Sequence, residues 1–151
     1  MQLSRDMLTH GVYVVAARHR RKRGAMTLSW ATQAGRDRII ICVGPQSDTR
    51  QLILDSRAFG LSVLRSDQLE LAKRFSKGCS AKQDKMSGVP FEIRDTGSPL
   101  LRDSAAAFDC LVESVYGQER RGFKLIVGRI VLAQLPAAPY EPLLYREEDY
   151  A

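Results

Sequence analysis

Short apolar runs, several of them rich in β-branched residues, alternate along this chain with polar stretches that contain Gly or Pro. Runs of this kind are typical of β-strands. The pattern predicts strands at residues 12–17, 25–33, 38–43, 59–64, 106–116 and 123–135. Gly128 lies in the middle of the last strand, where a glycine often marks a bend or the close approach of another backbone.

Two segments between these strands have the pattern of helices instead. Residues 48–56 predict a short helix, with Ser47 or Asp48 as the N-cap that accepts from the free amides of the first turn. A second helix is expected to open at residues 66–68. Its buried stripe consists of Leu71, Ala72 and Phe75.

Many strands, few helices and a long bent strand favour a small barrel, which removes exposed sheet edges. We therefore expect a mainly β fold with two short inserted helices. One domain covering residues 1–151 is expected, because that length is ordinary for a single domain. Residues 76–88 are polar and predict a loop, and residues 136–151, with three prolines, predict an extended arm.

Composition and charge narrow the classes of function. The chain has 23 Lys+Arg against 17 Asp+Glu, a formal net charge of +6, with three cysteines and two histidines. Their spacing predicts neither a disulfide framework nor a metal site, and Cys42 and Cys110 lie in apolar runs, which predicts core positions. The N-terminus lacks a signal-peptide pattern and no apolar run reaches about 20 residues, so we expect a cytoplasmic protein without a membrane span.

Several sequence motifs then follow one another in an order characteristic of one family. Residues 24–29 fit G-x-x-T-x-S, and residues 47–53, behind the strand at 38–43, fit S-x-T-x-x-x-I. Residues 59–75 fit F-x-x-x-V-L followed by Q-x-x-L-A-x-x-F, and residues 142–145 read P-L-L-Y. The ordered set covers nearly the whole chain and resembles the flavin reductase-like FMN-binding proteins.

The resemblance implies a split β-barrel, usually a homodimer with the flavin at the subunit interface. It implies FMN as the cofactor, or FAD as in some members, and NADH or NADPH as the co-substrate that passes a hydride to the flavin. Reduced flavin then leaves, or electrons pass to a protein partner such as a monooxygenase. Hydride transfer needs no side-chain acid or base, so no catalytic side chain is expected.

The resemblance and the local chemistry together give a set of candidate cofactor-binding residues. Small residues near the first motif let backbone amides approach the ring edge of a flavin, and hydroxyls with an arginine at a helix start favour a phosphate site over a plain N-cap. Two further residues follow from the resemblance alone, and two loop lysines are within reach of a phosphate or dinucleotide. The candidates are Met26, Thr27, Leu28, Ser29, Trp30, Ala31, Ser47, Thr49, Arg50, Phe75, Ser76, Lys82 and Lys85.

Trp30 keeps two interpretations, because a large aromatic ring suits a core or dimer interface as well as a wall against the isoalloxazine. The chain also departs from the family in two places. Arg36-Asp37-Arg38 replaces a frequent D-P-P turn, and Phe123 stands near the position of a histidine that often lies close to the nicotinamide.

The basic run at residues 18–23 holds five Lys/Arg and one histidine. Charge runs usually face water, which favours a solvated hairpin turn. In a second interpretation, the basic run binds the extra phosphate of NADPH or an acidic protein partner. Nucleic-acid binding is disfavoured, because interleaved aromatic residues are scarce.

Three hypotheses of function follow. The first is an NAD(P)H-dependent flavin reductase. The second is an FMN-binding electron-transfer protein that is reduced only slowly by NAD(P)H. The third, from another class, is a basic nucleic-acid-binding module with an empty barrel.

Overall fold

The structure is a computed structural model that describes residues 1–77, 84–117 and 121–151. Two helices and nine strands form its framework. The helices are α1 (Asp48–Ser56) and α2 (Leu69–Ser76), and α2 is preceded by a 3-10 turn at Ser66–Gln68. The strands are β1 (Tyr13–His19), β2 (Lys22–Leu28), β3 (Ala31–Ala34), β4 (Arg38–Val43), β5 (Ala58–Val63), β6 (Phe91–Ile93), β7 (Pro99–Leu101), β8 (Ala106–Tyr116) and β9 (Lys124–Gln134).

Seven strands form one antiparallel sheet in the order β2-β1-β5-β8-β9-β4-β3. The strands at its two ends, β2 and β3, are joined by Ser29 and Trp30 alone. Two ends that are only two residues apart can meet only if the sheet curls, since neighbouring strands lie about 4.8 Å apart. The result is the expected split β-barrel, and the place where its two ends meet is called the seam below.

The seam corrects one sequence prediction. Residues 25–33 were expected to form one continuous strand, but the chain leaves β2 at Leu28 and resumes as β3 at Ala31. The break has a physical reason, because β2 pairs with β1 at one end of the sheet and β3 pairs with β4 at the other. One apolar run therefore serves both ends of the sheet.

The concave interior of the curled sheet holds the main core. Val15, Ile41, Phe59 and Ile126 are fully buried there, and Ile53 of α1 closes one end. Gly128 was expected to mark a bend or the close approach of another backbone, but what approaches is a side chain, because a Cβ there would lie 2.5 Å from the Phe59 ring. The β8–β9 pairing around it contains two irregularities of register, which increase the bend.

A second core lies on the convex side of β1, under α2. Val14 and Ala16 point to this side, whereas Val15 and Ala17 point inward, so β1 is buried on both faces. The predicted helical stripe is confirmed for Ala72 and Phe75, which are buried, while Leu71 is half-buried.

The structure corrects the prediction for Cys42 and adds detail on Asp109 and on the C-terminal tail. Cys110 is buried as expected, but Cys42 is only half-buried and faces the seam, because β4 buries alternate residues. Asp109 is fully buried, where its carboxylate accepts hydrogen bonds from the amide and the hydroxyl of Thr96. The tail, which was predicted as an extended arm, is held against the domain, since Leu143 is buried and bonds through its backbone to Val12 and Leu64.

The basic run at residues 18–23 forms the exposed hairpin turn between β1 and β2, as its charge pattern favoured. Arg20 has a positive φ of 57° at the turn, and Arg23 forms an ion pair with Asp84. Within the described ranges, no helix is long and apolar enough to span a membrane.

Candidate functional site

A cleft of about 660 Å³ opens at the seam. It is lined by the end of β2, the Ser29–Trp30 link, the segment from Cys42 into the first turn of α1, the end of α2, and both chain termini. Sites for small molecules and cofactors typically have volumes of roughly 300–1,000 Å³. The curl of the sheet therefore creates a cavity of cofactor size at the one place where its strands do not pair.

Most of the predicted binding residues meet in this cleft. Ala31 instead lines a second, smaller cavity of about 270 Å³ with mostly apolar walls, Arg50 lies behind the cleft wall, and Lys82 lies outside the described residues. The predicted residues that line the cleft are Met26, Thr27, Leu28, Ser29, Trp30, Ser47, Thr49, Phe75, Ser76 and Lys85.

One part of the cleft suits a flat aromatic ligand. Trp30 and Phe123 both line it, with ring centroids 5.2 Å apart and planes inclined at 58°. The half-buried Cys42 lies on the same side, and burial raises the pKa of its thiol, so it stays protonated at neutral pH.

The break between β2 and β3 also leaves backbone donors at the cleft. Within the described residues, no hydrogen bond has the amide of Ser29 or Trp30 as its donor, whereas the Trp30 carbonyl accepts from Cys42 at 2.9 Å. Ser29 and Trp30 are half-buried and line the cleft, so water or a ligand can accept from their amides. The carbonyl-rich edge of a flavin supplies such acceptors.

Three hydroxyl groups among the predicted site residues are already engaged within the protein. Thr27 donates to the Ala72 carbonyl at 2.5 Å, and Ser76 donates to the Lys73 carbonyl at 2.7 Å. Ser47 donates to the Met26 sulfur at 2.9 Å and, as the N-cap of α1, accepts from the Arg50 amide at 3.2 Å. The prediction of a cap at Ser47 or Asp48 is thus settled for Ser47, and a bound phosphate needs other donors.

Cationic side chains supply those donors. Arg5, Lys77 and Lys85 line the cleft, and Asp48 is the acidic residue among the described lining residues. Asp48 is an exposed residue in the first turn of α1. The resulting positive charge, next to the N-terminus of a nine-residue helix, favours an anionic group such as a phosphate.

The two chain termini form part of the cleft wall. The carboxylate of Glu147 accepts from the Ser4 hydroxyl at 2.8 Å and from the Arg5 amide at 3.0 Å. Next to this clasp, the rings of Tyr145 and Tyr150 stack at 5.2 Å, and both line the cleft. Burial raises the pKa of Tyr150 to about 12.

Sequence reasoning missed several of these residues. Arg5 carries no local signal, because it reaches the cleft only through the clasp with Glu147. Tyr145 and Tyr150 lie in the predicted extended arm and were not named as site residues, although the tyrosines in that tail were a signal for packing. Cys42 was detectable, since strict alternation in β4 with buried Ile39, Ile41 and Val43 turns it to the other face.

No three His, Cys, Asp or Glu side chains of the described ranges come together as a potential metal site. Neither histidine of the chain, His10 or His19, lines the cleft. The residues present fit a flavin on three observations: two adjoining aromatic rings, two seam amides without a donor bond within the described residues, and a surplus of cations for a phosphate.

Comparisons with known proteins agree with this assignment. A reductase subunit of a flavin-dependent monooxygenase, HsaB of Mycobacterium tuberculosis, is 30% identical over 113 residues, which cover 74% of this chain and 58% of that protein. A flavin reductase of Pseudomonas putida is 33% identical over 88 residues, which cover 58% of this chain and 49% of that protein. In both cases the match spans less than two thirds of the relative's own length.

The solved structures show the same fold. The NADH:FAD oxidoreductase SgcE6 of Streptomyces globisporus superposes with a TM-score of 0.83 at 22% identity, covering 95% of this chain and 84% of that one. An FMN-binding protein of Thermus thermophilus superposes with a TM-score of 0.83 at 20% identity, covering 99% and 88%. The family model described as "Flavin reductase like domain" matches residues 3–151, and the chain therefore belongs to the flavin reductase-like domain family.

Proposed function

We propose that this chain binds a flavin in the cleft at the seam and acts in its reduction by NAD(P)H. The observation that carries the proposal is the convergence of the motif residues on one cleft that offers an aromatic surface, free amides and cations together. A flavin, when bound, supplies a hydride acceptor at its ring nitrogen N5.

The protein's own contribution is binding, orientation and electrostatics. The amides of Ser29 and Trp30 would donate to the carbonyl edge of the ring system, where negative charge grows on reduction. Lys85, Lys77 and Arg5 would hold the phosphate end. The adjoining rings of Trp30 and Phe123 would restrict the plane of the ligand from one side.

We propose FMN as the cofactor, with FAD as the alternative, and NADH or NADPH as the hydride donor. We also propose a homodimer with the flavin near the interface, because Trp30 and Phe123 leave apolar surface at an open cleft that a second chain would cover. A redox protein partner is proposed by analogy with the monooxygenase reductase subunit named above.

The first test is the absorbance spectrum of the purified chain, before and after FMN or FAD and then NADH or NADPH under anaerobic conditions. We expect saturable flavin binding followed by rapid bleaching with one of the nucleotides. Flavin that binds tightly but bleaches only with dithionite would replace the reductase by the electron-transfer protein. No flavin binding, with binding of nucleic acid instead, would overturn the proposal in favour of the basic module.

Two substitutions locate the flavin. Ser29→Leu fills the cleft at the seam and should raise the dissociation constant for FMN by about tenfold or more. Thr32→Leu is the matched control, since Thr32 lies three residues on and lines the second cavity. The reverse result, with Thr32→Leu weakening binding and Ser29→Leu neutral, would move the flavin to the second cavity.

A further inference from the structure

Arg50 was predicted to bind a phosphate, but it is buried behind the wall of the cleft. Its side chain is buried, with 7% of the residue exposed. The guanidinium donates to the Gly122 carbonyl at 2.7 Å and to the Val43 carbonyl at 3.4 Å. These hydrogen bonds connect the first turn of α1 to the end of β4 and to the segment that enters β9.

Each of these two carbonyls belongs to the residue just before one partner in the contact between the Phe123 ring and Gly44. The Gly122 carbonyl precedes Phe123, and the Val43 carbonyl precedes Gly44. A Cβ on Gly44 would lie 3.2 Å from the edge of the Phe123 ring, so this ring lies directly on the glycine backbone. Arg50 therefore fixes the backbone on both sides of the contact between Phe123 and Gly44.

On its other side the Phe123 ring contacts Trp30, at 5.2 Å between centroids. Phe123 nevertheless remains 54% exposed. An exposed ring on a connecting segment has many accessible orientations, and its order depends on what holds its backbone. Among the described contacts, two kinds restrict the Phe123 ring. Arg50 bonds to the carbonyls of Gly122 and Val43, and the ring packs against Gly44 and Trp30.

We propose that Arg50 is a positioning residue that holds Phe123 against Trp30, and that the two rings form an aromatic wall for the planar ring of a ligand in the cleft. The second half rests on the proposed flavin binding, whereas the first half concerns the ligand-free chain. Both hydrogen bonds come from one guanidinium nitrogen, Nη1, so this single atom ties the Val43 carbonyl to the Gly122 carbonyl.

The chain carries its own probe for this arrangement, since Trp30 is its only tryptophan. The test measures quenching of Trp30 fluorescence by acrylamide in the ligand-free wild type, Arg50→Met, Phe123→Ala and the double variant. We expect each single variant to raise the quenching constant, and the double variant to equal Phe123→Ala alone. Arg38→Met is the control, because Arg38 also forms a two-bond contact, with Glu113, but does not line the cleft.

The second readout is the dissociation constant for FMN. Loss of an ordered aromatic contact is worth about a threefold to tenfold change in affinity. We expect Arg50→Met and Phe123→Ala to weaken binding by similar factors and the double variant to be no weaker than either. Arg50→Met should leave the salt dependence of FMN binding unchanged, because Arg50 does not line the cleft, and this separates positioning from a phosphate contact.

Independent, multiplying effects on FMN binding would overturn the proposal, as would unchanged Trp30 quenching in Arg50→Met. If Arg50→Met does not fold, the shorter Arg50→Gln, which cannot reach both carbonyls, takes its place and must then raise Trp30 quenching. If the wild type binds no flavin, the ligand half fails together with the proposed function. The positioning half is still decided by the ligand-free fluorescence.

Discussion

The interior of the curled sheet and the seam between its ends are made from the same strands. They differ in how far their side chains are buried and their backbone groups are paired. Inside, Ile41, Phe59, Cys110 and Ile126 are fully buried, and their strands pair with a neighbour on each side. At the seam, the chain crosses from β2 to β3 without pairing, and it leaves exposed rings, amides and cations. Paired strands stabilise the fold, and the unpaired ends provide the groups that a ligand can use.

The same substitution in the two regions gives the largest contrast. Phe59→Ala should lower the free energy of unfolding by about 3–5 kcal/mol, because the ring fills the space that Gly128 leaves open. Phe123→Ala should cost less than about 1 kcal/mol, since half of that residue is exposed. Urea unfolding followed by circular dichroism measures both losses.

Binding measurements on the folded fractions should show the opposite order. Phe123→Ala weakens FMN binding, whereas Phe59→Ala, or the milder Phe59→Leu, leaves the dissociation constant within about twofold of the wild type. If both substitutions weakened FMN binding equally, ligand binding at the seam would depend on packing in the core.

Ser47→Ala affects both properties, because Ser47 lies at the boundary between the two regions. Loss of the N-cap bond to the Arg50 amide should lower the free energy of unfolding by about 1 kcal/mol. FMN binding should weaken as well, since the first turn of α1 lines the cleft. Ser56→Ala, at the other end of the same helix, is the control and should leave FMN binding unchanged.

Removal of charge from the cleft should have a smaller effect. Lys77→Gln with Lys85→Gln should weaken FMN binding about fivefold and reduce its dependence on salt, as expected for partly exposed charges near a phosphate. The double variant Arg94→Gln, Arg102→Gln removes the same net charge at Glu92, away from the cleft. A similar loss in that control would assign the effect to the overall charge of the protein.

Tyr150 gives the smallest expected effect, and it depends on pH. Within the described residues its buried hydroxyl has no hydrogen-bond partner, so Tyr150→Phe should leave stability at about pH 8 equal to or slightly above wild type. Burial raises the pKa of Tyr150 to about 12, compared with about 10 in an unfolded chain. The folded state then disfavours ionisation, and the wild type loses stability as pH rises above about 10.

The advantage of Tyr150→Phe should therefore grow above about pH 10, measured as the difference in urea midpoints. Some alkaline loss remains in both proteins, because burial also raises the pKa of Cys110 to about 12. A difference that shrinks with pH would show that the tyrosine ionises more easily in the folded chain.

The local elements could be predicted from the sequence to the extent that a local pattern encodes them. Residues 48–56 form α1 and residues 106–116 form β8 with the predicted bounds, since capping and alternation are local signals. The break at Ser29–Trp30 could not be predicted, because it depends on the pairing of β2 and β3 with two different strands. Periodicity records burial, not the identity of the partner strand.

The same limit applies to the cleft. The motif residues around Thr27 and Ser47 could be proposed from the resemblance, and the structure brings them together. The position of Arg50 depends on the carbonyls of Val43 and Gly122, which no spacing in the sequence relates. Arg5 and Tyr150 reach the cleft through contacts between the two termini, and such long-range contacts leave no periodic trace.

The seam also has a consequence for the order of folding. The β1–β2 and β8–β9 pairs join neighbouring strands of the chain, whereas β4–β9 joins strands far apart in sequence, and long-range pairings generally form slowly. The cleft exists only after β4 has docked on β9, because that step brings β3 to the end of the sheet opposite β2. A flavin added during refolding should therefore slow unfolding without accelerating folding, since its site is absent until the last long-range pairing is complete.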